Sequence, residues 1–315
     1  MKRKKVLWLS SIITTLSAIT TGFGFFVTNR LMYIKNKDAN FIYDRELKAQ
    51  RFDENWYQNC KKEEMSIDSP NGYAIKGIFL EPLQTKNTII ICHGVTENKI
   101  NSVRYARMFE RLGFNSFIFD HRRHGESGGK TTSYGYYEKF DIAAVVQTVK
   151  SIVGDDAIIG IHGESMGAAS MILYAGLIED GAHFYIADCG FSNFSELVSQ
   201  IVKKETILRT QIPIHLANLF LKIRDGYSMK SVTPKEAVRN IQSPMLFVHS
   251  MEDDFILPYM TKEMYEEKSE PKMLKLFEKG VHAQSFNQNP NEYEEIVQQF
   301  LEKYIFVQEL EKEIS

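Results

Sequence analysis

The sequence predicts an α/β protein with a doubly wound, mostly parallel sheet and a helical insertion. Short apolar runs alternate with stretches of helical period, an antiparallel pair of strands precedes them, and residues 191–243 interrupt the alternation. Alternating strands and helices form right-handed βαβ units, which place helices on both faces of a parallel sheet.

The N-terminal segment, residues 1–34, is predicted to be a membrane anchor. Four basic residues, 2–5, precede the uncharged residues 6–28, and a helix of that length spans the roughly 30 Å hydrocarbon core of a bilayer. The uncharged run exceeds a normal signal-peptide core, although a cleaved signal peptide is the alternative. The basic cluster predicts a single-pass protein of the cell membrane with its catalytic domain outside the cytoplasm. Cleavage would give a secreted protein instead.

Residues 35–63 are predicted to be a helical connector, and residues 64–308 form the main domain. Turn residues separate two alternating segments, 64–69 and 73–80, as in a β-hairpin. Six later apolar runs predict buried strands at 88–92, 116–119, 157–161, 183–187, 245–249 and 273–277. Five amphipathic segments predict helices at 102–112, 136–152, 168–178, 259–267 and 291–304.

The insertion, residues 191–243, is predicted to be a helical lid. It is rich in apolar residues and has helical character without a convincing strand. An insertion on the C-terminal side of a parallel sheet overhangs the site at that edge. The alternative is that these helices extend the core without touching a substrate, since apolar periodicity alone reports packing.

Composition excludes several classes of function. The formal net charge of −2 gives no basic excess for nucleic acid. The three cysteines, Cys60, Cys92 and Cys189, are widely spaced, so neither a disulfide framework nor a zinc site is expected. The eight histidines show no His-Glu-x-x-His spacing. No metal and no cofactor is therefore predicted.

The nucleophile is predicted from the segment Gly163 to Gly167, which has Ser165 at its centre. This Gly-x-Ser-x-Gly sequence follows a predicted strand and precedes a predicted helix. A serine on such a sharp turn exposes its Oγ, and the flanking glycines let strand and helix approach closely.

The base and the acid are predicted from the chain order nucleophile, acid, histidine. Of the later histidines only His282 lies in a loop after the last predicted strand, so it is the expected base. The loop after strand 245–249 offers Glu252, Asp253 and Asp254, and we choose Asp253 because Ser250 then takes the small-residue position of the usual pattern. Asp188, at the end of an earlier strand, is the runner-up and is interpreted as structural.

Two main-chain N–H groups are expected to form an oxyanion hole. One belongs to Met166, directly after the nucleophile, and the other to Val95, in the loop after the first parallel strand. His93 in the same loop is interpreted as a bracing residue rather than a base.

These motifs together resemble those of a known family. His93-Gly94, residues 120–127, residues 163–167, Asp253 and His282 are similar to the pattern of bacterial α/β hydrolases of the serine aminopeptidase and lysophospholipase-like group. The resemblance covers about residues 64–304 and implies the α/β-hydrolase fold. It leaves the substrate open, because the group contains esterases, monoacylglycerol lipases, acyltransferases and peptidases. Arg123 stands where the family usually has glycine, and Glu164 where histidine is commoner.

The function predicted is hydrolysis of carboxylic esters, with a lipid-like or other acyl ester as the small-molecule substrate. The apolar lid favours a hydrophobic acyl group. One alternative is a peptidase that recognises a free amino terminus, although basic residues outnumber acidic ones six to three between residues 191 and 230. The other alternative is a non-catalytic scaffold that retains the fold.

Overall fold

A computed structural model describes residues 2–205 and 212–307 of the chain. Eight strands form one sheet in the order β1-β2-β4-β3-β5-β6-β7-β8. The strands are β1 (Lys61–Asp68), β2 (Ala74–Glu81), β3 (Thr88–Cys92), β4 (Asn115–Phe119), β5 (Ile159–Glu164), β6 (Phe184–Asp188), β7 (Met245–Ser250) and β8 (Lys272–Phe277). Strand β2 runs antiparallel to β1 and β4, and all other pairs are parallel. The predicted fold class is confirmed.

Twelve α-helices lie within the described residues. They are α1 (Lys2–Met32), α2 (Ala39–Lys48), α3 (Glu54–Asn59), α4 (Val103–Arg111), α5 (Glu138–Val153), α6 (Met166–Leu177), α7 (Phe194–Glu205), α8 (Ile212–Asp225), α9 (Pro234–Ala237), α10 (Tyr259–Glu267), α11 (Ser285–Gln288) and α12 (Pro290–Leu301). A π-helical turn, Glu302–Phe306, follows α12.

The sheet has a hydrophobic core on each face, because side chains alternate along a strand. In β3, Ile90 belongs to the core that includes residues of α5 and α6, whereas Ile89 and Ile91 belong to the core that includes residues of α4 and α12. All five residues of β3 are buried. A strand covered on both faces favours apolar residues, which is why the predicted apolar runs overlap all five strands from β3 to β7, with the run 157–161 placed two residues before the start of β5.

Helix α1, Lys2–Met32, lies within the predicted anchor segment, and its C-terminal half packs on the domain. The Phe25 and Phe220 rings meet edge to face at 5.7 Å, and Arg224 Nη2 of α8 donates to Asn29 Oδ1 at 2.6 Å. No helix of residues 2–205 and 212–307 is both long and apolar enough to cross a membrane. Serine, threonine and glycine interrupt the apolar run of α1. The predicted membrane span is therefore not supported.

The predicted connector, residues 35–63, contains α2, α3 and the start of β1. The predicted lid contains α7, α8 and α9, with Phe194, Leu197 and Val198 of α7 buried. Residues 206–211 of the predicted lid, residue 1 of the predicted anchor and residue 308 at the end of the predicted domain lie outside the described residues.

Candidate active site

The turn that carries Ser165 is sharp. Ser165 has φ 56° and ψ −114°, a left-handed conformation that is uncommon for a residue other than glycine. A Cβ on Gly163 would lie 2.6 Å from the backbone of α6, and one on Gly167 would lie 2.1 Å from the Cys92 carbonyl oxygen. Both glycines are needed for this close approach of strand and helix. The turn presents the Ser165 hydroxyl at the C-terminal edge of the sheet.

The structure brings the three predicted triad residues together. Ser165 Oγ and His282 Nε2 are 2.8 Å apart, and His282 Nδ1 donates to Asp253 Oδ2 at 2.7 Å. Asp253 follows β7 and His282 follows β8, so the carboxyl ends of neighbouring parallel strands bring the loops together. The imidazole can thus accept the hydroxyl proton while the carboxylate fixes its orientation.

Asp253 is buried and held by four hydrogen bonds. Oδ1 accepts the N–H groups of Phe255 and Ile256, both at 3.0 Å, and Oδ2 accepts from His249 Nε2 at 3.0 Å as well as from His282. Burial alone would raise the pKa of Asp253, but the hydrogen bonds from the two histidines outweigh it and hold the pKa well below its usual range. The carboxylate is therefore ionised and rigidly placed.

The other acids considered from the sequence lie elsewhere. The Asp254 side chain is 79% exposed and pairs with Lys204. Glu252 accepts the main-chain N–H of Gly280 at 3.0 Å. Asp188 is buried and accepts from Tyr293 at 3.1 Å, away from the imidazole of the triad. Of these four acids, Asp253 alone is hydrogen-bonded to the predicted base.

The two predicted oxyanion donors flank the nucleophile. Met166 is the first residue of α6, where helical N–H groups lack an intrahelical acceptor. Val95 borders the same two cavities as Ser165. Both residues thus adjoin the nucleophile, and their role as oxyanion donors stays a prediction.

Two buried histidines brace the loop that carries Val95. His93 Nε2 accepts the N–H of His121 at 3.0 Å, and His124 Nε2 accepts the N–H of Thr96 at 3.0 Å. Burial lowers the pKa of His93 and lowers that of His124 to about 3. Both rings are neutral at pH 7, as these acceptor roles require. The contacts of His93 match the bracing role expected from the sequence.

Two cavities meet at Ser165. The apolar cavity has a volume of about 270 Å³. It is lined chiefly by apolar residues of α1, α7 and the loops above the sheet, including Phe23, Phe26, Val27, Leu31, Phe194, Leu197, Val198 and Ile201. The polar cavity has a volume of about 510 Å³ and contains His282. Its charged lining residues are Lys37, Arg45, Arg51, Glu97, Arg104 and Glu164.

Helix α1 and His249 both contribute to this site, and the sequence predicted neither contribution. Residues 6–28 read as a membrane segment, yet Phe23, Phe26 and Val27 line the apolar cavity. His249 lies near the end of β7, and it donates to the acid of the triad. Neither contact has a local sequence signal, because each depends on how distant elements pack.

Arg123 and Glu164, where this chain departs from the usual family pattern, both have partners. Arg123 has φ 61°, the left-handed region that favours glycine, and its Nη1 donates to the carbonyl of Ile34 at 2.7 Å. Glu164 forms a buried ion pair with Arg104 and accepts from Tyr105 Oη at 2.7 Å. The contact with the N-terminal segment helps to hold the strained backbone at Arg123.

One group of potential metal ligands overlaps the triad. The ligand atoms of Cys189, Asp253 and His282 lie within 4.8 Å of one another. Burial and the nearby Asp188 carboxyl raise the pKa of Cys189 well above its usual value, so its thiol is neutral, whereas metals bind the thiolate. Asp253 is already engaged by four hydrogen bonds. The group fits a hydrogen-bonded triad better than a metal site.

Comparison with known proteins gives the family. A family model described as serine aminopeptidase, S33, matches residues 84–189. The uncharacterized protein YqkD of Bacillus subtilis (strain 168) is 42% identical over 301 residues, which cover 95% of this chain and 97% of that protein. The chain belongs to the S33-like α/β hydrolases. The resemblance inferred from the sequence motifs is thereby confirmed at the level of the family.

Solved structures agree on the fold of this α/β hydrolase. The Pyrococcus furiosus esterase Pf2001 matches with a TM-score of 0.64 at 21% identity, over 78% of this chain and 92% of that one. The acetyl xylan esterase from Paenibacillus sp. R4 matches with a TM-score of 0.63 at 14% identity, over 88% and 98% of the two chains. At these identities the likeness concerns the fold.

Proposed function

We propose that this α/β hydrolase cleaves carboxylic esters with an apolar acyl group, through a Ser-His-Asp acyl-enzyme mechanism. One observation carries the proposal. The Ser165 hydroxyl is hydrogen-bonded to His282 at the junction of an apolar and a polar cavity. An ester with one apolar and one polar part fits such a junction.

The first half of the reaction forms an acyl-enzyme. Ser165 Oγ attacks the ester carbonyl carbon while His282 Nε2 takes the hydroxyl proton. Asp253, ionised and hydrogen-bonded to Nδ1, stabilises the imidazolium that results. His282 then gives the proton to the leaving oxygen as the carbon–oxygen bond breaks. The alcohol departs and the acyl group remains on Ser165.

In the second half, water hydrolyses the acyl-enzyme. His282 takes a proton from the water as its oxygen attacks the acyl carbonyl, and then returns a proton to Ser165 Oγ. In both tetrahedral intermediates the carbonyl oxygen is negative, and the N–H groups of Val95 and Met166 are its proposed donors. Their fixed position lowers the barrier without reorganisation during the reaction.

The position of His282 orients the ester. His282 borders the polar cavity and is not part of the lining of the apolar cavity. Because His282 must reach the leaving oxygen, the alcohol part belongs in the polar cavity. The acyl group then occupies the apolar cavity between α1 and α7.

The peptidase alternative requires a carboxylate free to bind an amino terminus. Glu97 and Glu164 are the acids that line the polar cavity. Glu97 accepts hydrogen bonds from Arg45 and Lys37, and Glu164 forms an ion pair with Arg104. Since both acids already have cationic partners, ester hydrolysis is the better proposal.

Labelling with a fluorophosphonate probe tests the nucleophile. We expect the purified wild-type chain to be labelled, and Ser165→Ala and His282→Ala to remain unlabelled. Ser151→Ala, a change at an exposed serine of α5, is the matched control and should label like wild type. Absence of labelling in a folded wild-type protein would favour the scaffold alternative.

A panel of esters tests the substrate class. Acetyl, butyryl, octanoyl and palmitoyl esters of one alcohol should differ in kcat/KM, with a preference for chains that fill the apolar cavity. Equal rates for all four chains would argue against an acyl subsite in this cavity.

We also propose that the chain is attached to a cell membrane through its N-terminal segment, with the catalytic domain outside the cytoplasm. The basic run at residues 2–5 and the uncharged residues 6–22, which precede the cavity-lining Phe23, support this location. Fractionation of cells is the test, with protease added to intact spheroplasts to find the exposed side. Recovery from the medium without residues 1–34 would favour the secreted alternative, and recovery in the cytosol would contradict both.

A further inference from the structure

We propose that the polar cavity is a leaving-group subsite for an alcohol that carries an anion, namely a phosphate or a carboxylate. The inference rests on the proposed ester hydrolysis and goes beyond it by naming the chemistry of the alcohol part. It begins from the orientation argued above, in which His282 protonates a leaving oxygen inside this cavity.

Cations exceed carboxylates in this cavity. Its lining contains four cationic side chains, from Lys37, Arg45, Arg51 and Arg104, and two carboxylates. Outside the lining, Glu46 accepts hydrogen bonds from Arg45 and Arg51, and Asp253 accepts one from His282, so the excess of cations is confined to the side chains that border the cavity. The excess favours a negatively charged ligand.

The carboxylates Glu97 and Glu46 already have cationic partners within the protein. Burial alone would raise the pKa of Glu97, but the hydrogen bonds from Arg45 and Lys37 outweigh it and hold the pKa at about 2. Burial would also raise the pKa of Glu46, which is lowered instead by its bonds to arginines, Arg51 first among them. These charges stay fixed at neutral pH, and a cationic ligand would have to displace an internal cation.

Arg104 has one hydrogen-bond donor that is unpaired within the described residues. The residue is 5% exposed, and its Nη2 is paired with Glu164. Its Nε–H has no hydrogen-bond partner among the described residues. Buried donors are nearly always satisfied in folded proteins, so an unsatisfied one on a residue that lines a cavity favours an acceptor supplied by a ligand. An anionic oxygen is the strongest acceptor for a guanidinium.

The cations of the N-terminal segment are tied to the catalytic loop. The Lys37 main-chain N–H donates to the Thr96 carbonyl at 3.1 Å, and Thr96 adjoins the proposed oxyanion donor Val95. Arg45 reaches the same loop through paired hydrogen bonds to Glu97, at 3.0 and 2.7 Å. Three of the four cations of the subsite, Lys37, Arg45 and Arg51, thus lie outside residues 84–189, the stretch that the family model matches, whereas Arg104 lies within it.

Hydrolysis of matched esters tests the subsite. We compare octanoyl esters of glycerol, glyceric acid and glycerol phosphate, in which the acyl group is constant and the alcohol is neutral, a carboxylate or a phosphate. The wild-type chain should favour an anionic ester over the neutral one. Arg51→Gln should reduce that preference by about tenfold, the usual effect of one charged hydrogen bond.

The matched control is Arg111→Gln, which removes the same charge from an arginine that pairs with Glu294 outside the cavity. It should keep the wild-type preference. Faster hydrolysis of both anionic esters, or of the phosphate ester alone, supports the subsite and identifies its anion. A wild-type preference for the neutral ester, or equal preferences in the Arg51 and Arg111 variants, overturns it while ester hydrolysis stands. If no ester is cleaved and Ser165 is not labelled, the proposed function itself fails.

Discussion

Replacing His249 with leucine is expected to slow ester hydrolysis without abolishing it. His249 is fully buried, and its Nε2 donates to Asp253 Oδ2 at 3.0 Å and to the Ile256 carbonyl at 2.9 Å, while Nδ1 contacts Thr261 Oγ1 at 2.7 Å. Leucine removes one of the four hydrogen bonds to the carboxylate. It leaves the contact between Asp253 and His282 in place.

The expected loss of activity follows from the removal of one of the four hydrogen bonds to the Asp253 carboxylate. A hydrogen bond to a charged group contributes about 1.5–3 kcal/mol, which corresponds to a rise of about one to two units in the pKa of Asp253. Because that pKa starts well below the usual range, Asp253 stays ionised at neutral pH. The loss at neutral pH therefore comes only from looser positioning of the carboxylate, and we expect kcat/KM to fall about tenfold, the lower end of what one charged hydrogen bond contributes. Asp253→Asn, which imposes the wrong imidazole tautomer, should lose about 10⁴-fold.

The assay is the pH dependence of kcat/KM on an octanoyl ester for wild type, His249→Leu and His249→Gln. The pKa of Asp253 is depressed in the folded protein, so its ionisation is lost only as pH falls. In His249→Leu the loss of rate that comes from protonation of Asp253 should begin at a higher pH than in wild type, although still well below neutral pH. Glutamine restores a donor near Nε2 and should recover part of the rate. The reasoning is refuted if His249→Leu is as inactive as Asp253→Asn, or if it matches wild type at every pH.

Three further predictions concern the buried pair, the apolar cavity and pH. Glu164→Gln leaves the Arg104 cation buried and should lower the free energy of unfolding by about 3 kcal/mol or more in urea titrations; a loss below 1 kcal/mol would contradict this. Val27→Phe should shift the acyl preference toward shorter chains, while exposed Ile19→Ala should not; an unchanged profile would remove α1 from the acyl wall. Burial and the nearby Glu164 raise the pKa of Asp188 to about 6, so its stabilising contribution is full below about pH 4 and is lost as pH rises through 6. Asp188→Asn should flatten this part of the stability profile, and an unchanged slope would refute the assignment.

The sheet and the three triad residues were predictable because their signals are local. A strand buried on both faces favours apolar residues, and β3 to β7, which are buried along their whole length, each contain a short apolar run. The nucleophile turn has its own spacing, with Gly163 and Gly167 placed where a Cβ would meet backbone atoms. Asp253 and His282 followed from chain order and from the loops in which they lie.

The surroundings of the triad were not predictable in the same way. An apolar helix face has one signature whether it meets lipid, a core or a substrate, so residues 6–28 did not indicate that Phe23 and Val27 line a cavity. The bond from His249 to Asp253 depends on the loop after β7 folding back onto that strand. The pairing of Arg45 with Glu97 joins α2 to a loop more than fifty residues later in the chain.

The catalytic residues and much of the cavity walls come from different parts of the chain, and this difference indicates which residues should determine substrate specificity. The triad and its braces fix the reaction, and the stretch matched by the family model, residues 84–189, includes Ser165 and both oxyanion positions. The wall of the apolar cavity comes largely from elsewhere, chiefly from α1 and α7, and half of the residues that line the polar cavity also lie outside this stretch, including Lys37, Arg45 and Arg51. Changes in substrate preference should therefore arise from α1, α2 and α7, and changes in rate for all esters from the triad and its bracing histidines.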